Sequence, residues 1–403
     1  MNKIVKAINS VIDIAKIDVF ISDEIPMTAY IVENRPISFS GQNRELFNNY
    51  MREIYSYNQE IYETYTEKEF IKIMLNALSS YVFNKQHINR KEVKSILDSF
   101  NELPVLNYTV LRDVYGLKLS DPDVHFKLGD YAIYNYAVQR SHLNNKYNFM
   151  PQASSFGVPF FLIEWNASAR HYEKAVEIAD KQFERFELVM RYILGQYNGP
   201  ISIGILNNYA QRDKKAHVFS NIDHSVFMYS GGSIDYVPID IDNQYYNSSS
   251  FGFDYVWQLA SSPLLNEIQK RIILSVEWIG QALADVSLQN AFLKAAIALE
   301  ILFVLDENAI ISPSILNQIS ESTALTIGKD YDERIGIESE VKKLYGLRSK
   351  IVHSGNKNIS LYDLNKILSI TRKVLIELTT NYEYKSIKEV RELHALFKRM
   401  KYS

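Results

Sequence analysis

The chain has 403 residues, is 47% hydrophobic and carries a formal net charge of −3, so it can bury a large core and is neither a disordered tail nor a stapled miniprotein. That charge excludes whole-chain attraction to nucleic acid or anionic lipid and leaves any such contact to a local patch. Zero cysteines exclude disulfides, thiolate zinc sites and a cysteine nucleophile, leave His, Asp and Glu as metal ligands, and fit a reducing cytoplasm.

At the N-terminus, Lys3, Lys6, Asp13, Lys16 and Asp18 interrupt the apolar residues, so no signal-peptide core forms. No stretch approaches the roughly 18 apolar residues of a membrane helix. Ile4, Ile8, Val11, Ile12 and Ala15 recur at helical spacing and predict a helix over 1–16, with strands at 17–22 and 28–32. A helical pattern fills 43–103, broken near 84–89. Strand-like stretches follow at 106–110, 124–128 and 131–134, then at 160–164. Residues 171–194 read as a long amphipathic helix, and short strands alternate with turns over 201–205, 217–219, 225–229 and 234–241. From about 255 the strand signals vanish and five or six helices are expected.

The expected fold is α+β: a helix-rich region over 1–104, a mixed α/β sensing or regulatory domain over 105–254, and an all-α bundle over 255–403. Charge changes at the same boundary. Residues 255–403 hold 19 basic and 17 acidic side chains, against 25 and 30 in the rest. Ser312-Pro313 predicts a helix start and Gly328 its stop. Ser360 with Asp363, and Ser386 with Glu389, have capping-box spacing.

The segment richest in chemistry runs from Val341 to Gly355. Arg348 interrupts an apolar stripe formed by Leu344, Ile351 and Val352, so its guanidinium needs an anion or a cleft. His353 lies in the last turn before the expected Gly355 cap, where the helix dipole favours an imidazolium. An arginine that keeps its proton and a histidine that can lose one suit phosphodiester chemistry. Upstream, Glu300 is the one charge in the run Ala295 to Leu305, and Arg348 is its natural partner. The bare Arg-x4-His spacing is weak, arising by chance about 0.3 times in a chain of this composition. Arg212 and His217 repeat it between two strand-like stretches, where it reads as a decoy.

With Leu-Tyr-Gly-Leu before Arg348, Ser-Gly after His353, and the earlier Ala-Leu-Glu helix, residues 255–403 resemble the HEPN superfamily, and within it the Apea-like HEPN domains. The resemblance implies a small helical bundle, often a homodimer, acting as a metal-independent endoribonuclease in antiphage defence, abortive infection, toxin or stress systems. In catalytic members Arg and His from both protomers line one cleft, and the 2′-OH attacks the adjacent phosphate to leave a 2′,3′-cyclic end. Carried over, Arg348 stabilises the phosphorane and His353 is the general acid/base, with Glu300, Ser349, Tyr345 and Lys350 as supporting groups. Ser349 stands where the family often has Asn, Asp or His.

From Lys385 to Lys401 the chain places Lys385, Lys388, Arg391, Lys398, Arg399 and Lys401 against two glutamates, opposite a Val390/Leu393/Phe397/Met400 stripe. Such a face can track RNA phosphates, while His394 reads as packing. A metal cluster from Asp235, Asp240, Asp242 and His224 competes with ordinary turn usage of Asp, and no metal or other cofactor is expected. No phosphate loop, dinucleotide fingerprint, serine-hydrolase elbow or zinc-protease motif occurs. Two alternatives stand: a non-catalytic HEPN module binding RNA or protein, and a dimerising adaptor whose Tyr-rich N-terminal part does the work. The expected setting is the cytoplasm, with RNA, a second copy and a phage-derived or regulatory protein as partners, and no membrane.

Overall fold

The computed structural model describes residues 1–19, 27–121, 126–147, 161–197, 203–205, 214–219, 226–231, 238–305, 313–354 and 359–402. They form an α+β fold that divides into two units. One comprises Met1–Val110 and Asn166–Lys181, the other Leu111–Trp165 and Gln182–Ser403.

In the first unit α1 (Asn2–Ile14) buries Ile4, Ala7, Ile8, Val11 and Ile12, the stripe that the spacing predicts. Strands β1 (Lys16–Ile17), β2 (Met27–Val32) and β3 (Arg35–Ser40) form an antiparallel sheet in the order β1-β3-β2. The strand expected over 17–22 is described only at its start, since 20–26 lie outside the described residues. Glu33 and Asn34, at φ 49° and 61°, make the left-handed two-residue turn that suits a β2–β3 hairpin. β3 was not expected: Pro36 to Ser40 are all buried, serines included, so polarity does not alternate.

Helices α2 (Gln42–Tyr57), α3 (Gln59–Thr64), α4 (Glu67–Ala77), α5 (Ser79–Asn84) and α6 (Arg90–Ser99) fill the expected helical stretch. The break follows α5, where Lys85 turns left-handed at φ 51° and its Nζ donates to Ile12 O at 2.8 Å, tying down the end of α1. Phe39, Phe47, Phe70 and Phe100 fill the core.

The chain continues through β4 (Leu106–Tyr115), β5 (Leu117–Lys118), β6 (Phe126–Leu128), β7 (Tyr131–Asn135), α7 (Tyr136–Tyr147), β8 (Phe161–Ala169) and α8 (Tyr172–Leu194). Then come β9 (Gly204–Ile205), β10 (Lys214–Phe219), β11 (Val226–Gly231) and β12 (Ile239–Asp240). Five strands join in the order β6-β7-β8-β4-β9, β10 pairs antiparallel with β11, and β12 runs parallel to β5. The sequence did not announce α7, whose buried positions Tyr136, Gln139 and Leu143 leave a weak apolar stripe.

From Phe253 every described element is a helix: α9 (Phe253–Ser261), α10 (Glu267–Ala284), α11 (Leu288–Phe303), α12 (Pro313–Ile327), α13 (Tyr331–Ser354), α14 (Leu361–Thr380), α15 (Tyr382–Lys385) and α16 (Val390–Tyr402). These are eight among the described residues rather than five or six, the excess being the short α9 and α15. α12 starts at Pro313 and ends one residue before Gly328, and the Ser360–Asp363 capping box forms. The Ser386–Glu389 box does not. Ser386 instead closes α15, its Oγ donating to Glu383 O at 2.7 Å, and α16 starts only at Val390. Among the described residues no helix is long and apolar enough to cross a membrane.

The expected 255 boundary does not isolate a packed body. Arg185 of α8 donates to Glu277 of α10 at 2.5 Å, and a Cβ at Gly280 would stand 2.4 Å from Leu188 O. The neighbour is backbone and cannot yield, so Gly280→Ala is expected to destabilise the protein by about 1–3 kcal/mol in urea unfolding. A midpoint equal to that of wild type would show that α8 and α10 separate freely.

Candidate functional site

The residues singled out for phosphodiester chemistry sit on α11 and α13. Glu300 occupies the last turn of α11, while α13 carries Tyr345, Arg348, Ser349, Lys350 and His353. Arg348 Nε lies 3.2 Å from Glu300 Oε1, with the side chains 20% and 14% exposed, so the expected pair is present. It is an ion pair without an aligned hydrogen bond, because both facing atoms are shut off from solvent and neither has a hydrogen-bond partner. Burial pushes the Glu300 carboxyl above its ordinary range, and the Arg348 charge pulls it back.

Tyr345 completes this interior. Its hydroxyl donates to Ala296 O at 3.1 Å, pinning α13 to α11. Burial, and then the Glu300 charge, push its pKa well above the usual value, while Arg348 eases it, so the phenol is a fixed neutral donor.

His353 lies elsewhere on the same helix. It is exposed, as are Gly346, Ser349 and Lys350. At 100° per residue, positions 346, 349, 350 and 353 share one outward face, whereas 348 and 353 are about 140° apart and about 7.5 Å apart along the axis. Arg348 and His353 of one copy therefore share no hydrogen bond or ion pair. Gly346 sits mid-helix with nothing within 4 Å of where a Cβ would be, leaving room for another surface to approach closely. Gly355, the expected cap, is outside the described residues.

The basic stretch divides between two helices. Lys385 ends α15 with its Nζ 4.3 Å from the Tyr255 ring centroid. Lys388, Arg391, Lys398 and Arg399 are exposed, and Lys401 pairs with Glu321 at 2.7 Å. Val390, Leu393 and Phe397 are buried opposite them. His394 is packing, as expected: its Nε2 lies 2.7 Å from Phe303 O, and burial lowers its pKa, keeping the ring neutral.

The metal reading of the aspartates finds other partners for two of them. Asp240 pairs with Lys118 at 3.0 Å, and Asp242 accepts from Ser120 N at 2.8 Å. Asp235 and His224 lie outside the described residues, as does Arg212 of the second Arg-x4-His pattern, whose His217 sits on β10 opposite Met228.

Sequence reasoning missed a polar cluster around the buried Glu164 in the second unit. Glu164 of β8 accepts from Tyr147 Oη at 2.5 Å and from Lys146 Nζ at 3.2 Å, and Lys146 also donates to Tyr134 Oη at 3.1 Å. Burial raises the Glu164 pKa, but hydrogen bonds from Tyr147, Tyr134 and Lys146 outweigh it and hold the carboxyl below its usual range. An unbroken apolar neighbourhood around Glu164 in the sequence was the available signal. Comparison with protein-family models, with curated proteins and with solved structures finds no match.

Proposed function

We propose that residues 255–403 act as a HEPN-type, metal-independent endoribonuclease working as a homodimer, in antiphage defence or a toxin-like stress response in the cytoplasm, with the preceding residues sensing or regulating. The observation that carries this reading is the combination of a half-buried guanidinium, Arg348 against Glu300 at 3.2 Å, with an exposed imidazole five residues on. One copy points the two groups away from each other, so a cleft holding both kinds needs a second copy. The bare outward face around Gly346 offers it a docking surface.

In this reaction His353 takes the proton from the 2′-OH and returns one to the leaving 5′-oxygen. Arg348 neutralises the charge that builds on the phosphorane, and Glu300 is the positioning residue that fixes the guanidinium. The exposed lysines and arginines of α15 and α16 hold the RNA backbone, so binding weakens as salt rises.

A second reading is favoured by the same ion pair. A guanidinium already engaged by Glu300 also fits a structural strut, and the module then binds RNA or protein without cutting. Purified full-length protein incubated with RNA and excess EDTA separates the two. Fragments ending in 2′,3′-cyclic phosphate are expected, and salt-sensitive binding with intact RNA would leave only the binding module. A monomer in solution that still cleaves would remove the shared cleft.

A further inference from the structure

The first unit brings together three groups that the nuclease reading does not use. Glu69 of α4 faces His171 and Glu173 at the start of α8, and one ligand atom from each lies within 4.8 Å of the others. Thr66-x-x-Glu69 has capping-box spacing, yet half the box is missing. Thr66 Oγ1 accepts from the Glu69 N–H at 3.1 Å, but the Glu69 carboxylate makes no return bond to Thr66 and lies instead toward His171.

There it is poorly served. Glu69 is 9% exposed, accepts no hydrogen bond among the described residues, and has His171 Nε2 at 3.8 Å, beyond hydrogen-bond reach. A carboxylate so withdrawn from water, with the 3.8 Å contact to His171 as its ion-pair partner, calls for a closer cation. His171 turns its other nitrogen away, with Nδ1 accepting from the Glu173 N–H at 3.3 Å, so Nε2 faces the carboxylates.

We propose that Glu69, His171 and Glu173 bind a divalent transition-metal ion, with Zn2+ or Mn2+ as the fitting class. One imidazole nitrogen with two carboxylates selects these over Mg2+ and Ca2+, which prefer oxygen alone. Metal–ligand distances of about 2.0–2.2 Å require the trio to contract. Glu173 supplies the movement, since its side chain is 29% exposed and its ion-pair partner is a long 3.5 Å contact to the exposed Lys68. Metal at Nε2 shifts the ring proton to Nδ1 and gives up only the 3.3 Å contact. The positive ends of α4 and α8 oppose the cation and weaken its binding. Three protein ligands leave a position open for water or an anionic ligand.

The test is calorimetric titration of metal-stripped full-length protein with Zn2+, beside Glu69→Gln and His171→Asn. Asparagine still caps a helix, so His171→Asn keeps the start of α8 while removing the imidazole. One bound equivalent is expected in wild type, at least tenfold weaker in either variant, together with a Zn2+-induced rise in unfolding temperature that both variants lose. Wild type without a site, or variants that bind Zn2+ as wild type does, would overturn the proposal. RNA cleavage in EDTA reports separately on the nuclease, so either idea can fail alone.

Discussion

Replacing His353 with alanine is expected to slow RNA cleavage by about 10²–10⁴-fold, the usual contribution of a positioned acid/base group. The fold should not notice. His353 is exposed in the last turn of α13 and shares no hydrogen bond among the described residues, so the change in unfolding free energy should stay within about 0.5 kcal/mol. Loss of turnover with unchanged unfolding is what separates a reacting group from a supporting one. If His353→Ala cuts RNA at the wild-type rate, the enzyme assignment fails, whatever Arg348 does.

Arg348→Ala is expected to act on both levels. Removing the guanidinium leaves Glu300 uncompensated at 14% side-chain exposure, and the stranded charge should cost about 2–4 kcal/mol. The pH dependence has a definite sign. Burial raises the Glu300 pKa, so the folded protein holds that proton more tightly than the unfolded chain, and the ionisation cost appears as pH rises through the folded value. Without the opposing pull of Arg348 that cost grows. The deficit of Arg348→Ala in urea unfolding should therefore be largest at neutral pH and shrink as pH falls toward the ordinary carboxylate range. Adding Glu300→Gln to Arg348→Ala should restore most of the stability and none of the cleavage. If cleavage returns with the fold, the arginine was a strut.

How far these groups were legible follows from how local their signals are. Glu300 betrayed its partner because a lone carboxylate in an apolar helix demands a counter-charge, and Arg348 was the one charge interrupting a facing stripe. Helix ends were legible where the caps are local, as at Pro313, Gly328 and Ser360. They were not at Ser386, where the same spacing lost to a tighter turn closing α15. β3 hid because its serines are buried, and α7 because tyrosine and glutamine fill two of its buried positions. The opposed directions of Arg348 and His353 follow from helix geometry and needed only the confirmation that both lie on α13. The meeting of Glu69 with His171 depends on strand and helix pairing far along the chain, which no local pattern announces.

The first unit is closed by a strap made much later than the rest of it. Asn166–Lys181 supplies Arg170, whose guanidinium binds the carbonyls of Asn101 and Leu103, and Lys174, whose Nζ lies 3.3 Å from Tyr55 Oη. At ribosomal speeds of about 5–20 residues per second, the stretch between Val110 and Asn166 takes roughly 3–11 s to synthesise. During that interval the nascent helices have their core but lack their clasp. Gene fragments that stop before Lys181 should yield a product that proteases clear readily, and the whole unit is contiguous in sequence only together with Leu111–Trp165, the stretch of the second unit that it encloses.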